Sequence, residues 1–363
     1  MDQEPSNAPV SKTICSQGTA TTWPTLAGRC PGPAGLRDYC GSPRQNAVKK
    51  IVFRFVQPAA IAALLLLWAI APDRWVQNPA SLILAASATA ALVQALEGIN
   101  ERHGSWRLNR REFYTDCFYV ILNSTVIAGL ETKLVAEPLR VTKDALGITT
   151  EWAMHLPFLM QVALVLFLIE FGQYWMHRLM HNSVLWWVHA PHHHVTQLNA
   201  LKGSVGNPVE LFLISLSVIA LFDLPQRAVF GAVHILTLVS CFAHANIRFD
   251  APRWYSLFFT TVEHHSLHHS VGFNETRCNF ANSLIVCDRI CGTFLEGETE
   301  IVGQGDRKRL SIFEQFVFPL RPLIVTIKAM RGASVAANGC LSLGKERYMA
   351  AFLPGRGFQK GSK

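Results

Sequence analysis

Long apolar stretches alternate with short polar, mostly basic ones along this chain. Four stretches approach the roughly 20 mainly apolar residues that a membrane-crossing helix needs: residues 51–71, 79–96, 113–130 and 156–175. The third is the weakest, because Asp116 and Asn123 interrupt it. A fifth stretch, 208–243, is long enough to enter a membrane and return, with Asp223 and Pro225 marking a tight turn at its middle. Residues 313–330 are apolar but broken by Pro319 and Pro322, which predicts a segment lying at the interface or packed on the domain. Residues 1–46 carry Pro, Gly, Ser and Thr without the apolar run of a signal peptide. They read as a poorly ordered tail, so the first apolar run is expected to stay as an anchor. The expected organisation is a tail (1–46), a membrane-embedded domain (47–300) and a C-terminal interfacial segment and tail (301–363). The expected fold class is all-α: an integral membrane bundle of about four spanning helices plus a hairpin.

Composition sharpens this picture. Half of the 363 residues are hydrophobic and only 16% are charged, against about 25% charged in a soluble domain. A disordered chain, a disulfide scaffold and a nucleic-acid-binding protein are thereby excluded, despite a net charge of +8. The basic residues instead flank the apolar runs: Arg44, Lys49 and Lys50 before the first, Arg102, Arg107, Arg110 and Arg111 after the second. Positive charge accumulates on cytoplasmic loops. The N-terminus is therefore expected in the cytoplasm, and residues 176–207 and those from 244 onward are expected on that same face. Nine cysteines without regular spacing read as buried structural thiols rather than a framework.

The chemistry lies in the histidines. Twelve of the fourteen fall between residues 177 and 269. His177 and His181 form H-x3-H, while His189, His192 and His193 form H-x2-H-H. His244 stands alone, and His265, His268 and His269 repeat H-x2-H-H. On a helix, positions i, i+3 and i+4 share a face, so each group can present its imidazoles together. Imidazole is a common ligand for iron, zinc and copper. Nine imidazoles exceed the need of one ion, which predicts two. The hairpin is what allows the groups to meet, because ligands on opposite membrane faces could not share a site. Satisfied interfacial histidines, a haem cytochrome and a metal-binding or metal-transporting membrane protein are the competing readings. Haem needs two axial histidines on facing spans, and a transporter needs ionisable groups at mid-membrane.

These motifs resemble the fatty acid hydroxylase and sterol desaturase superfamily over about residues 110–300. The matching residues are Glu170, then Tyr174-Trp175-Met176-His177-Arg178 with His181, then Leu185-Trp186 with His189, His192 and His193. His244-Ala245-Asn246, the last histidine box, and Asn279, Asn282, Asp288 and Gly292-Thr293-Phe294 complete the pattern. The resemblance implies a di-iron centre, with zinc able to replace iron on isolation. It implies O2 as co-substrate and hydroxylation, or alternatively desaturation, of a lipid C–H bond. The substrate would be a fatty acyl, sterol-like or ether lipid. No cytochrome b5-like domain is evident, so a separate electron donor is expected: a cytochrome b5-like protein, a ferredoxin or a reductase. Many relatives carry His-Pro-x-Glu where this chain has Asn207-Pro208-Val209-Glu210. Glu170, seven residues before His177, is expected to orient a ligand imidazole, and Asn207, Glu210 and Asp288 are further candidates for that role. Trp175, Trp186 and Trp187 are candidates for an apolar slot or an interfacial belt.

Overall fold

In a computed structural model of the protein, residues 43–326 are described, apart from Phe273, Asp306 and Val325. The expected N-terminal tail and the end of the 313–330 run lie outside them. The described residues form helices without a β-strand, with only two isolated bridges, Glu101 to Ile247 and Ser270 to Val302.

Among the described residues, five helices are long and apolar enough to cross a membrane. They are α1 (Pro43–Ile70), α2 (Pro79–Ile99), α3 (Arg110–Ala145), α4 (Phe158–His181) and, later in the chain, α7 (Gln226–His244). The starts follow local chemistry. Asn78 accepts a bond from Ala80 N at 3.0 Å with Pro79 at the first helical position, and Asn109 accepts from Glu112 N at 3.0 Å. Pro157 and Pro225 precede α4 and α7. In α7, 72% of the most apolar stretch is buried within the protein, against 11% to 33% in the other four. The helix is thus the axis of the bundle. Its Ile235, Leu238, Val239 and Phe242 pack with Val93 of α2 and Val162, Val165 and Ile169 of α4.

Two differences from the sequence reading have physical causes. First, α3 continues to Ala145, well past the end of the apolar run at residue 130. It widens into π-helix at Asn123–Ile127 and Thr132–Ala136, where Ser124, Thr125 and Thr132 return their hydroxyls to carbonyls four residues back. Its charged end is held by pairs such as Lys133–Glu137 at 2.7 Å. Asp116 does not weaken the helix, because Lys202 Nζ and Asn199 Nδ2 bond its carboxylate at 2.7 and 2.8 Å. Second, the 208–243 hairpin has unequal arms. Helix α6 (Pro208–Ser215) is short, the chain bends through Leu216–Val218, and α7 alone is of spanning length. The turn lies where expected, with Asp223 bonded to Lys143 and accepting from Thr150 N at 2.8 Å.

The last turns of α4 and α7 meet at one end of the bundle, beneath a cap of short helices: α5 (Trp186–His193), α8 (Val262–His268), α9 (Val286–Cys291) and α10 (Ile312–Val317). Glu97, at the end of α2, fixes two cap loops by accepting from Ala200 N at 2.6 Å and Asn246 N at 3.0 Å. The basic flanks are at this end too. Lys49 donates to Ile99 O at 2.7 Å, and Arg102 pairs with Glu298 and Glu263 of the cap.

Candidate metal centre

All nine predicted histidines come together, none more than 7% exposed. They form two groups, in each of which the ligand atoms lie within 4.8 Å of one another. The first holds His177, His181, His189, His193 and His268; the second holds His192, His244, His265 and His269. Spacing alone suggested that each H-x2-H-H box points one way. Instead each box is divided. His189 and His193, one turn apart, serve the first group while His192 turns to the second; His265 and His269 serve the second while His268 turns to the first. The first group gains the pair His177 and His181 from α4, and the second gains only His244 from α7. The groups adjoin, with the rings of His193 and His269 stacked at 4.6 Å.

Hydrogen bonds fix the rings from outside. His177 Nδ1 donates to Phe280 O at 2.5 Å, His192 Nδ1 to Val205 O at 2.6 Å, His268 Nδ1 to Cys278 O at 2.7 Å and His244 Nδ1 to Ser240 O at 2.9 Å. A carbonyl only accepts, so these Nδ1 atoms carry the proton and each Nε2 is left as a lone pair. His189 Nδ1 meets Glu210 Oε1 at 2.7 Å. Packing closes the first group, with Trp186 against His181 and His193 and Phe280 against His177, His181 and His268.

These inward lone pairs are a test for a metal. His177 Nε2 and His268 Nε2 are 3.0 Å apart although both are acceptors. His177 and His189 approach at 2.9 Å, His189 and His181 at 3.0 Å, and His265 and His244 at 2.9 Å. For His177 and His268, whose Nδ1 protons are both given to carbonyls, a cation between the two Nε2 atoms makes the contact favourable. Protons are poor candidates: burial holds His189 down at about 3, and burial together with His177 holds His268 well below the ordinary imidazole value. Metal–nitrogen bonds of about 2.1 Å place neighbouring ligand atoms about 3.0 Å apart in an octahedral arrangement, which is the spacing found. The donor set therefore fits metal binding.

The four other predicted residues are buried at 5% exposure or less but touch the rings unequally. Only Glu210 contacts an imidazole directly. Asn207 N donates to Glu210 Oε2 at 3.1 Å, so Asn207 acts on His189 at one remove. Asp288 accepts from Phe280 N, Ala281 N and Thr293 Oγ1 at 2.8, 2.7 and 2.6 Å, shaping the turn whose carbonyl holds His177. Glu170 does not reach an imidazole as expected; its Oε1 accepts from Ser283 N at 3.1 Å in the same turn. Trp175 is 46% exposed on the outer face of α4, as a belt residue would be, whereas Trp186 and Trp187 pack on the cap. Sequence reasoning missed Phe280, Val205, Cys278 and Ser240, since they act through backbone carbonyls that every residue has.

A buried polyhistidine centre capping a bundle of apolar helices defines a class of multi-pass membrane metalloprotein. Residues 162–293 match the fatty acid hydroxylase family model. The chain is 28% identical over 216 residues to an ornithine lipid hydroxylase of Rhizobium tropici, covering 57% of this chain and 64% of that one. It is 32% identical over 154 residues to the alkylglycerol monooxygenase of Homo sapiens (40% and 33% covered). It is 28% identical over 199 residues to a very-long-chain aldehyde decarbonylase of Oryza sativa subsp. japonica (52% and 63%). The matches thus span less than two thirds of each of these relatives. No solved structure matches the chain significantly. The family match and these relatives support a place in the fatty acid hydroxylase and sterol desaturase superfamily for the region around residues 162–293.

Proposed function

We propose that the protein is a membrane-bound non-haem di-iron oxygenase that uses O2 to hydroxylate a C–H bond of a membrane lipid. The observation that carries this reading is the convergence of nine buried imidazoles into two adjoining groups. Two relatives named as a lipid hydroxylase and an alkylglycerol monooxygenase support the reaction class. A fatty acyl, sterol-like or ether lipid is the substrate class. Bound iron would supply the redox chemistry that zinc, which has none, cannot. One oxygen atom enters the C–H bond and the other leaves as water, with two electrons and two protons delivered by a separate donor.

The protein's own residues hold this chemistry in place. His177, His181, His189, His193 and His268 would bind one ion, and His192, His244, His265 and His269 the other. Glu210 orients His189, Asp288 and Glu170 shape the turn that orients His177, and Asn207 holds Glu210. Trp186 and Phe280 exclude water from the first group. The cap lies at the end of the spans, where a lipid can present a reactive carbon without leaving the bilayer. The basic residues at that end support a cytoplasmic orientation.

Elemental analysis of protein purified from iron-replete cells tests the centre: two metal ions per chain are expected, and one or none in intact protein contradicts it. A cysteine at the exposed Glu275 position tests orientation. Labelling from the cytoplasmic side alone is expected; labelling from outside would place the cap on the other face.

A further inference from the structure

Residues 309–320 lie outside the matched family region, yet they are fixed to the metal centre's frame at three points. At one end Arg309 bonds the Glu112 carboxylate and donates to Thr115 Oγ1 at 3.0 Å. That carboxylate also receives Lys202 from the loop after α5. In the middle, Asn207 Nδ2 donates to Gln315 O at 2.8 Å and Phe316 O at 3.0 Å, two carbonyls at the end of α10 that the helix itself leaves free. At the other end Phe318, 4% exposed, packs on Trp187 and His194. Leu310 and Phe318 together cover Ala190 and Trp187 on the outer face of α5 and reach the edge of Trp186.

Helix α5 has only eight residues and supplies three of the nine imidazoles. An eight-residue helix is too short to hold its shape by its own hydrogen bonds. Its inner face is held by the imidazoles, and its outer face by this segment. We propose that residues 309–320 are a strap that positions α5, and that Asn207 is its clamp. Asn207 suits both halves of the task. Its Oδ1 accepts from Val209 N at 3.0 Å and caps α6, while its Nδ2 reaches across to the strap. A side chain with an acceptor and two donors on one short arm can do both. The asparagine at this position is thus directed at the C-terminal segment, and the site it serves is α5 rather than an ion.

The inference rests on the metal-centre reading for its consequence but not for its geometry, and the test separates the two. Full-length protein in lipid nanodiscs is compared as wild type, Asn207→Ser and Phe318→Ala. Serine keeps the cap of α6 and removes the donor to the strap. Two quantities are read: trypsin cleavage after Arg309 and the rate of metal release to a chelator. Both variants are expected to expose Arg309 to cleavage and to release metal about 10- to 100-fold faster, the range seen when groups supporting a ligand are removed. If wild type holds two metals and both variants match it in cleavage and release, the strap is refuted while the centre stands. If wild type holds no metal, the centre reading fails, and the cleavage pattern alone still decides whether Asn207 clamps the segment. Should Asn207→Ser fail to fold, Phe318→Ala, which leaves α6 untouched, carries the same decision.

Discussion

Helix α7 carries two buried histidines ten residues apart, each 1% exposed, and they do opposite things. At mid-helix, both ring nitrogens of His234 are satisfied by the bundle: Trp68 Nε1 donates to Nδ1 at 3.1 Å, and Thr89 Oγ1 lies 2.8 Å from Nε2. At the end of the helix, His244 spends Nδ1 on Ser240 O of its own helix and turns Nε2 toward His265 Nε2 at 2.9 Å. Burial is the same in both. What separates a structural histidine from a ligand is where the second nitrogen points and whether its partner can be a donor. Trp68 and Thr89 tie α1 and α2 to α7; His265 brings a second imidazole of the same four-histidine group.

That contrast can be broken most severely at a ligand. His268→Ala removes one imidazole from the first group and is expected to abolish activity and lower metal content, with helicity and membrane insertion retained. Elemental analysis and circular dichroism check both halves, and normal metal content would undo the assignment. A subtler attack is Gly203→Ala. A Cβ there would lie 2.8 Å from Ser240 Oγ and 3.1 Å from the His244 ring. His244 must shift, so the four-histidine group should lose its ion first, leaving about one metal per chain. An unchanged two would count against His244 as a ligand. Glu210→Gln keeps a side chain able to cap α6 but removes the carboxylate from His189. A 10- to 100-fold weaker metal affinity is expected by competition with a chelator, and wild-type affinity would make the contact incidental. The smallest effect is predicted for His234→Ala. It strands Trp68 Nε1 and Thr89 Oγ1, costing about 1–3 kcal/mol in unfolding measurements, with full metal content. Loss of metal there would erase the distinction between the two histidines.

The sequence disclosed the parts of the centre more readily than their partners. The i, i+3, i+4 spacings made all nine ligands legible, and hydropathy made four of the five spans legible as separate runs. Helix α7 was visible only as one arm of a return. The division of each H-x2-H-H box between two groups was not legible, because helical spacing fixes a shared side and not which of two neighbouring points each ring faces. Glu170 was misdirected for a related reason. Its spacing from His177 places both on one side of α4, but the Ser283 turn lies there as well and takes the carboxylate. The extension of α3 to Ala145 was hidden by charges that pair along the helix surface. Asn207 read as a departure from a family pattern. Its two bonds to residues more than a hundred positions away are a product of tertiary packing alone.

If the histidine cluster inserts oxygen from O2 into a lipid, the inserted atom can be traced. The most direct measurement is lipid mass spectrometry on cells grown under 18O2 that express the wild-type chain or its His268→Ala variant. A lipid that gains one 18O atom at a carbon is expected with wild type and not with the variant. A lipid that gains only a double bond would replace hydroxylation with desaturation. No labelled lipid in cells whose wild-type protein carries its full complement of iron would rule out oxygen insertion by this cluster.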